Sequence, residues 1–279
     1  MPDSSQYHFR VLFTNQVSLT DEEVDLPRCA LYFAGEKFPD LDVDEYLARL
    51  DSMAQRVAGN SPSSGDSESL LQALNAYLFD EEKFTGNPAD YYNPDNSYLN
   101  RVMDSRIGIP ITLSVLYLGV AERLNLSCYG VGMPGHFLVA LKDLGLFLDP
   151  FHSGQLLSAA DCRRLAQDMF GPNFAWTDEY LAPCPSKLII YRMLNNLRQI
   201  HLHKRDYGRH ASVVEKMLLV DSTVSGLYLE LAQSQVHKGE TEAALRSLQL
   251  LKESPASQKE RDVADELIEI LLRGRPRAD

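Results

Sequence analysis

Residues 106–151 read RIGIPITLSVLYLGVAERLNLSCYGVGMPGHFLVALKDLGLFLDPF. Pro110 suits the first turn of a helix, where its missing N–H is no loss. Leu113, Leu116, Tyr117, Val120, Ala121 and Leu124 then build a broad apolar face, widened by Leu118. Such a helix is predicted to be buried on most sides. Three short runs follow, at 127–133, 136–142 and 145–149, separated by Met133-Pro134-Gly135 and Asp143-Leu144-Gly145. Apolar runs of this length between turn residues predict strands. The second run opens on His136 and the third ends on Asp149-Pro150. A buried helix feeding a small antiparallel sheet predicts an α+β core.

If 136–142 and 145–151 close as a hairpin turning at Asp143-Leu144, position 149 pairs with 138 and 136 with 151. Side chains alternate along a strand, so His136 and Asp149 then share a face as diagonal neighbours, about 7–8 Å apart along the backbone. Their side chains can meet. A carboxylate that accepts from one imidazole nitrogen fixes the tautomer and raises the basicity of the other. The pair reads either as a general base in need of a partner or as a structural His–Asp link in a sheet. Thr112 and Ser114 offer hydroxyls on the helix, which need a well-placed base to attack and equally suit capping or packing. Cys128 lies on the preceding strand and reads as a small core residue. His136, Asp149 and His152 are metal-ligand types, but their spacing is not diagnostic. Neither a metal nor another cofactor is expected.

The 279-residue chain has 44% hydrophobic and 24% charged residues, a net charge of -12 and a pI near 5.0. These values predict a soluble folded protein of one large or two ordinary domains. The acidic balance argues against a broad phosphate-binding surface, so nucleic acid is not an expected partner. The first residues lack a basic segment followed by an apolar run, and Pro110, Thr112 and Ser114 interrupt the longest apolar stretch, 107–121. No leader and no membrane span are expected. The cysteines at 29, 128, 162 and 184 form no CxxC pair, which fits reduced thiols in the cytoplasm.

Toward the N-terminus, Thr20-Asp21-Glu22-Glu23 is a capping box that predicts a helix start, while residues 1–18 offer only a short apolar run. Val43, Tyr46, Leu47, Leu50, Met53, Ala54 and Val57 recur at threes and fours and predict an amphipathic helix over 42–57. A Gly/Ser/Pro loop at 59–68 precedes a second helix carrying Leu70, Leu71, Leu74, Tyr77 and Leu78. Two Asn-Pro steps in 85–97 forbid a continuous helix. Tyr91 and Tyr92 of that loop either line a cleft or pack on the core edge. A helix around Tyr98–Asp104 leads into the central stretch.

Toward the C-terminus, Ser158 can cap a helix over 158–170. Beyond Ser186 strand signals stop, and two segments, about 191–222 and 225–256, repeat at a spacing of 34. Leu197 matches Leu231 and Met217 matches Leu251, with turns at Arg205-Asp206-Tyr207 and Gly239-Glu240-Thr241. A helix–turn–helix unit of this period is the tetratricopeptide (TPR) pattern. His210 stands where the second copy has Ala244, so a local shift is expected there. His201 and His203 are two apart and do not share a face; both read as helix-surface residues. A last amphipathic helix at 258–272 caps the stack. The expected domains are 1–183 and 184–279.

Five motifs carry a resemblance: Leu41-Asp-Val-Asp-Glu-Tyr-Leu-Ala-Arg-Leu50, Tyr91-Tyr-Asn-Pro-Asp-Asn-Ser-Tyr-Leu99, Arg106-Ile-Gly-Ile-Pro-Ile-Thr-Leu-Ser114, Pro134-Gly-His-Phe-Leu-Val139 and Leu148-Asp-Pro-Phe151. With the repeats, they resemble the SirB family of bacterial proteins over nearly the whole chain. The resemblance implies a mostly helical α+β protein: a transglutaminase/papain-like core with a small antiparallel sheet, then an all-α TPR-like array. It also implies a cytoplasmic location. Active transglutaminase-like enzymes use a Cys-His-Asp triad, and His136 and Asp149-Pro150 match its last two members. The nucleophile position falls near Pro110, which has no nucleophilic atom. The expected function is a non-catalytic interaction or regulatory protein, with Tyr91, Tyr92, Asn93 and Pro110 as binding residues. Its partner would be a protein or peptide. The rival is a hydrolase or acyltransferase using His136 and Asp149 with water, or with Ser114 or Thr112.

Overall fold

The computed structural model describes residues 4–60 and 66–273, so the centre of the loop read at 59–68 lies outside the described residues. The chain is mostly helical and carries a small antiparallel sheet. It divides into two compact units, Met1–Met193 and Leu194–Asp279.

In the first unit, α1 (Ser4–Ser18), α2 (Leu26–Gly35), α3 (Val43–Asn60), α4 (Ser67–Asn75) and α5 (Leu99–Ser105) precede α6 (Pro110–Arg123), against which α2, α3 and α5 pack. Helix α1 is legible only in hindsight, through Phe9, Phe13 and Val17, which recur four apart and are all buried. The capping box at Thr20 does form, with the Glu23 carboxylate accepting from the Thr20 N–H and hydroxyl. It starts a single turn, Asp21–Glu23, rather than a long helix. Helix α2 begins later, where Asp25 accepts from the Arg28 N–H and Pro27 fits the first turn. Helix α6 follows an extended Ile109, has Pro110 in its first turn, and is buried at every position from Pro110 to Ala121 except Leu118.

Two short segments, β1 (Thr85–Gly86) and β2 (Ile107–Gly108), pair in parallel just before α6. The main sheet runs in chain order: β3 (Cys128–Val131), β4 (Leu138–Leu141), β5 (Leu146–Asp149) and β6 (Gln155–Leu157), all antiparallel. In the β4–β5 hairpin Val139 pairs with Leu148 and Leu141 with Leu146, the register that sets 138 opposite 149. His136 lies outside the strand, which starts at Leu138. It closes a turn in which its N–H reaches the Met133 carbonyl at 3.3 Å. Pro134 leads this turn and Gly135 follows at φ +72°, the backbone that a proline–glycine step supplies. The three-residue β6 is too short, and its Gln155 and Leu156 too exposed, to leave an alternating signal. Val131, Leu138, Ala140, Phe147 and Leu157 pack with Cys162 and Ala166 of α7 (Ala159–Phe170). Ser158 caps α7 through Asp161, and α6 packs against β3 and β4.

The division between the units falls within α8 (Ser186–His203). The second unit continues with α9 (Tyr207–Val220), α10 (Ser225–His237), α11 (Thr241–Glu253) and α12 (Gln258–Arg273), each packed on the next. The matched positions Leu197, Leu231, Met217 and Leu251 are all buried. His210 and Ala211 are both buried as well. His201 corrects its surface reading: it is 2% exposed, and neither ring nitrogen has a hydrogen-bond partner. It falls four residues after Leu197, on the apolar stripe that also carries Ile190 and Leu194. His203 is exposed as expected.

Candidate functional site

Asp149 ends β5 with its side chain 2% exposed. Its Oδ1 accepts from the backbone N–H groups of Phe151 (3.0 Å) and His152 (3.3 Å), capping the turn that Pro150 opens. Its Oδ2 accepts from two imidazoles, His136 Nε2 at 2.8 Å and His152 Nδ1 at 2.7 Å. Burial alone would push this carboxyl up. The hydrogen bonds and charge of His136 and His152 outweigh burial and hold it below the usual carboxylate range. Asp149 is therefore ionised near neutral pH and fixes the proton of His136 on Nε2. His136 Nδ1 has no partner among the described residues, and it is not one of the buried polar atoms lacking one. That nitrogen keeps its lone pair and its contact with solvent.

The turn that presents His136 is clamped from α8. Arg192 Nη1 donates to the Gly132 carbonyl at 2.6 Å, and Nη2 to the carbonyls of Met133 at 3.2 Å and His136 at 3.4 Å. Its guanidinium also lies over the Phe137 ring. A Cβ on Gly135 would sit 2.9 Å from the Phe170 ring and 3.1 Å from Met169 sulfur. The Phe151 ring meets His136 edge-on at 6.2 Å between centroids, and Tyr91 meets Phe151 at 6.1 Å. Tyr92 packs on Tyr91 and is 72% exposed. Asn96 pins this loop by donating to the carbonyls of Asp90 (2.7 Å) and Tyr91 (3.2 Å). Asn93 shapes the same loop, accepting from the Asp95 N–H and donating to Asp90.

No thiol or hydroxyl among the described residues is hydrogen-bonded to the His136–Asp149 pair. Pro110 occupies the head of α6. Ser114 is fully buried and its Oγ donates to the Pro110 carbonyl at 2.8 Å. Thr112 is fully buried with its hydroxyl unpartnered. Burial pushes every thiol up: Cys128 and Cys162 reach about 12, and Cys29 and Cys184 shift the same way. No hydroxyl or thiol among the described residues is hydrogen-bonded to His136. Two concavities of the first unit lie elsewhere: about 660 Å³ bounded by Phe9, Tyr32 and Asp42, and about 480 Å³ bounded by Leu118, Cys128 and Cys184. Neither is lined by His136 or Asp149.

The sequence thus brings together His136, Asp149 and, through Phe151, Tyr91. His152, grouped with His136 and Asp149 by ligand type alone in the sequence, is brought onto Asp149 by the structure, and the arginine clamp is new with it. An arginine on a helix reads as solvated, and nothing in its spacing marks Arg192 as a half-buried donor to a neighbouring turn.

A family model described as the transglutaminase-like superfamily matches residues 44–195. A UPF0162 protein of Xylella fastidiosa is 35% identical over 216 residues, covering 74% of this chain and 75% of that protein. A UPF0162 protein of Pseudomonas aeruginosa is 28% identical over 183 residues, covering 66% and 67%. F-box only protein 21 of Mus musculus is 31% identical over 177 residues, which is 60% of this chain and 26% of that protein. No solved structure matches the chain significantly.

Proposed function

This chain belongs to the transglutaminase-like superfamily, and on that premise we propose that it binds a peptide or another amide-bearing ligand beside His136 without forming a covalent intermediate. One observation carries the reading: His136 Nδ1 is open, yet no thiol or hydroxyl is hydrogen-bonded to the ring. An imidazole oriented by an ionised carboxylate still accepts a hydrogen bond from an amide N–H. Tyr91, Tyr92 and Phe151 give the ligand aromatic surface. The chain on this view is a SirB-family member whose second unit forms TPR-like repeats that receive a protein partner in the cytoplasm, with neither nucleic acid nor membrane as partner. The acidic net charge supports that choice, as does the finding that no helix among the described residues is long and apolar enough to cross a membrane. An F-box only protein carries a similar region as 26% of its length, which fits a module used within larger chains.

The rival is a hydrolase or acyltransferase in which His136 and Asp149 activate water or a hydroxyl. The open lone pair of Nδ1 favours it. Amide turnover separates the two. The full-length protein is assayed for ammonia release from glutaminyl peptides and for amine incorporation into casein. Binding without catalysis gives no turnover, in wild type and His136→Ala alike. Turnover that His136→Ala abolishes contradicts the proposal and establishes the rival.

A further inference from the structure

We propose that His136 Nε2, the Asp149 carboxylate and His152 Nδ1 form a binding site for a divalent transition-metal ion of the zinc class. The donor atoms of these three residues lie within 4.8 Å of one another. Two imidazoles and one carboxylate are a donor set that suits zinc and its first-row neighbours rather than calcium or magnesium. The surroundings already provide what a metal site needs beyond its ligands. Asp149 Oδ1 is fixed by the N–H groups of Phe151 and His152, and the His136 turn is held by Arg192. Such supports orient ligands before the ion arrives.

The chemistry of entry is simple. In the metal-free pair each imidazole donates its proton to Asp149 Oδ2. Moving the proton of His136 from Nε2 to the unpartnered Nδ1, and that of His152 from Nδ1 to Nε2, turns both inward nitrogens into lone pairs. No net proton is released, and the two hydrogen bonds are exchanged for two metal–nitrogen bonds. With metal–ligand distances of about 2.1 Å, tetrahedral donors sit on the order of 3.4 Å apart. The donors must therefore rearrange slightly, and His152, whose side chain is 52% exposed, has room to do so. The same exposure leaves a side open for water or a ligand atom. This inference goes beyond the binding function proposed above and is separable from it: with the ion bound, His136 Nδ1 carries the proton and donates rather than accepts, and metal uptake is read without any amide ligand.

The test uses the full-length protein, free of any affinity tag and stripped with EDTA. Zinc chloride is titrated by calorimetry, and cobalt(II) chloride by visible absorption. The site predicts one ion per chain and cobalt bands of a nitrogen–oxygen ligand set. His152→Ala, at an exposed position, is expected to lower the metal-free unfolding midpoint only slightly, because His136 and two backbone N–H groups still hold Asp149, and to weaken binding by about tenfold or more. His136→Ala is expected to weaken it similarly. The proposal is overturned if neither metal shows saturable uptake. It is also overturned if the bound ion survives both substitutions with unchanged affinity, or if cobalt gives intense thiolate charge-transfer bands.

Discussion

Asp149 accepts four hydrogen bonds, two from backbone N–H groups and two from imidazoles. Removing it leaves two N–H groups and two rings without their shared acceptor. Asp149→Ala should cost about 3 kcal/mol of stability, the usual result of removing one member of a buried ionic pair, measured by urea unfolding at neutral pH. Because its folded pKa is depressed, the stabilisation it gives is complete above the ordinary value of 3.8 and is lost as pH falls through the lower folded value. His201 behaves differently. Burial lowers its pKa from 6.5 to about 4; Asp206 opposes the shift, while Arg209, Lys204 and His210 reinforce it. The unfolded chain therefore takes up this proton first, and stability is lost as pH falls from about 6.5 toward about 4. Urea midpoints at a series of pH values should show that loss, and His201→Leu should flatten it; an unchanged pH dependence in that variant would contradict the burial argument. The hairpin register that sets 138 opposite 149 was legible because it can be counted, but His136 stands in the turn before the strand, where alternation does not reach, and meets Asp149 from there. The His152 contact was not legible, since the strand ends at Asp149 and the turn after Pro150 redirects the next side chains.

At the scale of elements, the turn Met133–His136 and the start of α8 act together. Three carbonyls of 132–136 accept from one guanidinium, and Arg192 has no carboxylate partner among the described residues. Hydrogen bonds to a charged group are each stronger than neutral ones, so Arg192→Ala should cost about 2 kcal/mol. Amide exchange at residues 132–137 should accelerate while α6 keeps its protection. Equal protection of that turn in both proteins would show that the clamp is not what holds it. The elements were readable where a physical rule is local: proline at the head of α6, the capping serine before α7, the threes and fours of α3. Helix α1 and strand β6 were not, the first because three apolar residues mark its face, the second because it is three residues long.

For the molecule as a whole, the α+β core and the helical run after it follow from where strand signals stop. The limit between the compact units was harder to see, because it falls inside the continuous helix α8 and a helix carries no punctuation there. The central claim joins the scales: the core keeps an oriented base but surrounds its four thiols with burial that opposes ionisation. Iodoacetamide labelling of the native full-length protein near neutral pH, resolved by mass spectrometry for each cysteine, tests it most directly. The account expects all four cysteines to react no faster than free glutathione, with the same rates in His136→Ala. A cysteine that labels far faster than glutathione, and loses that advantage in His136→Ala, would contradict it.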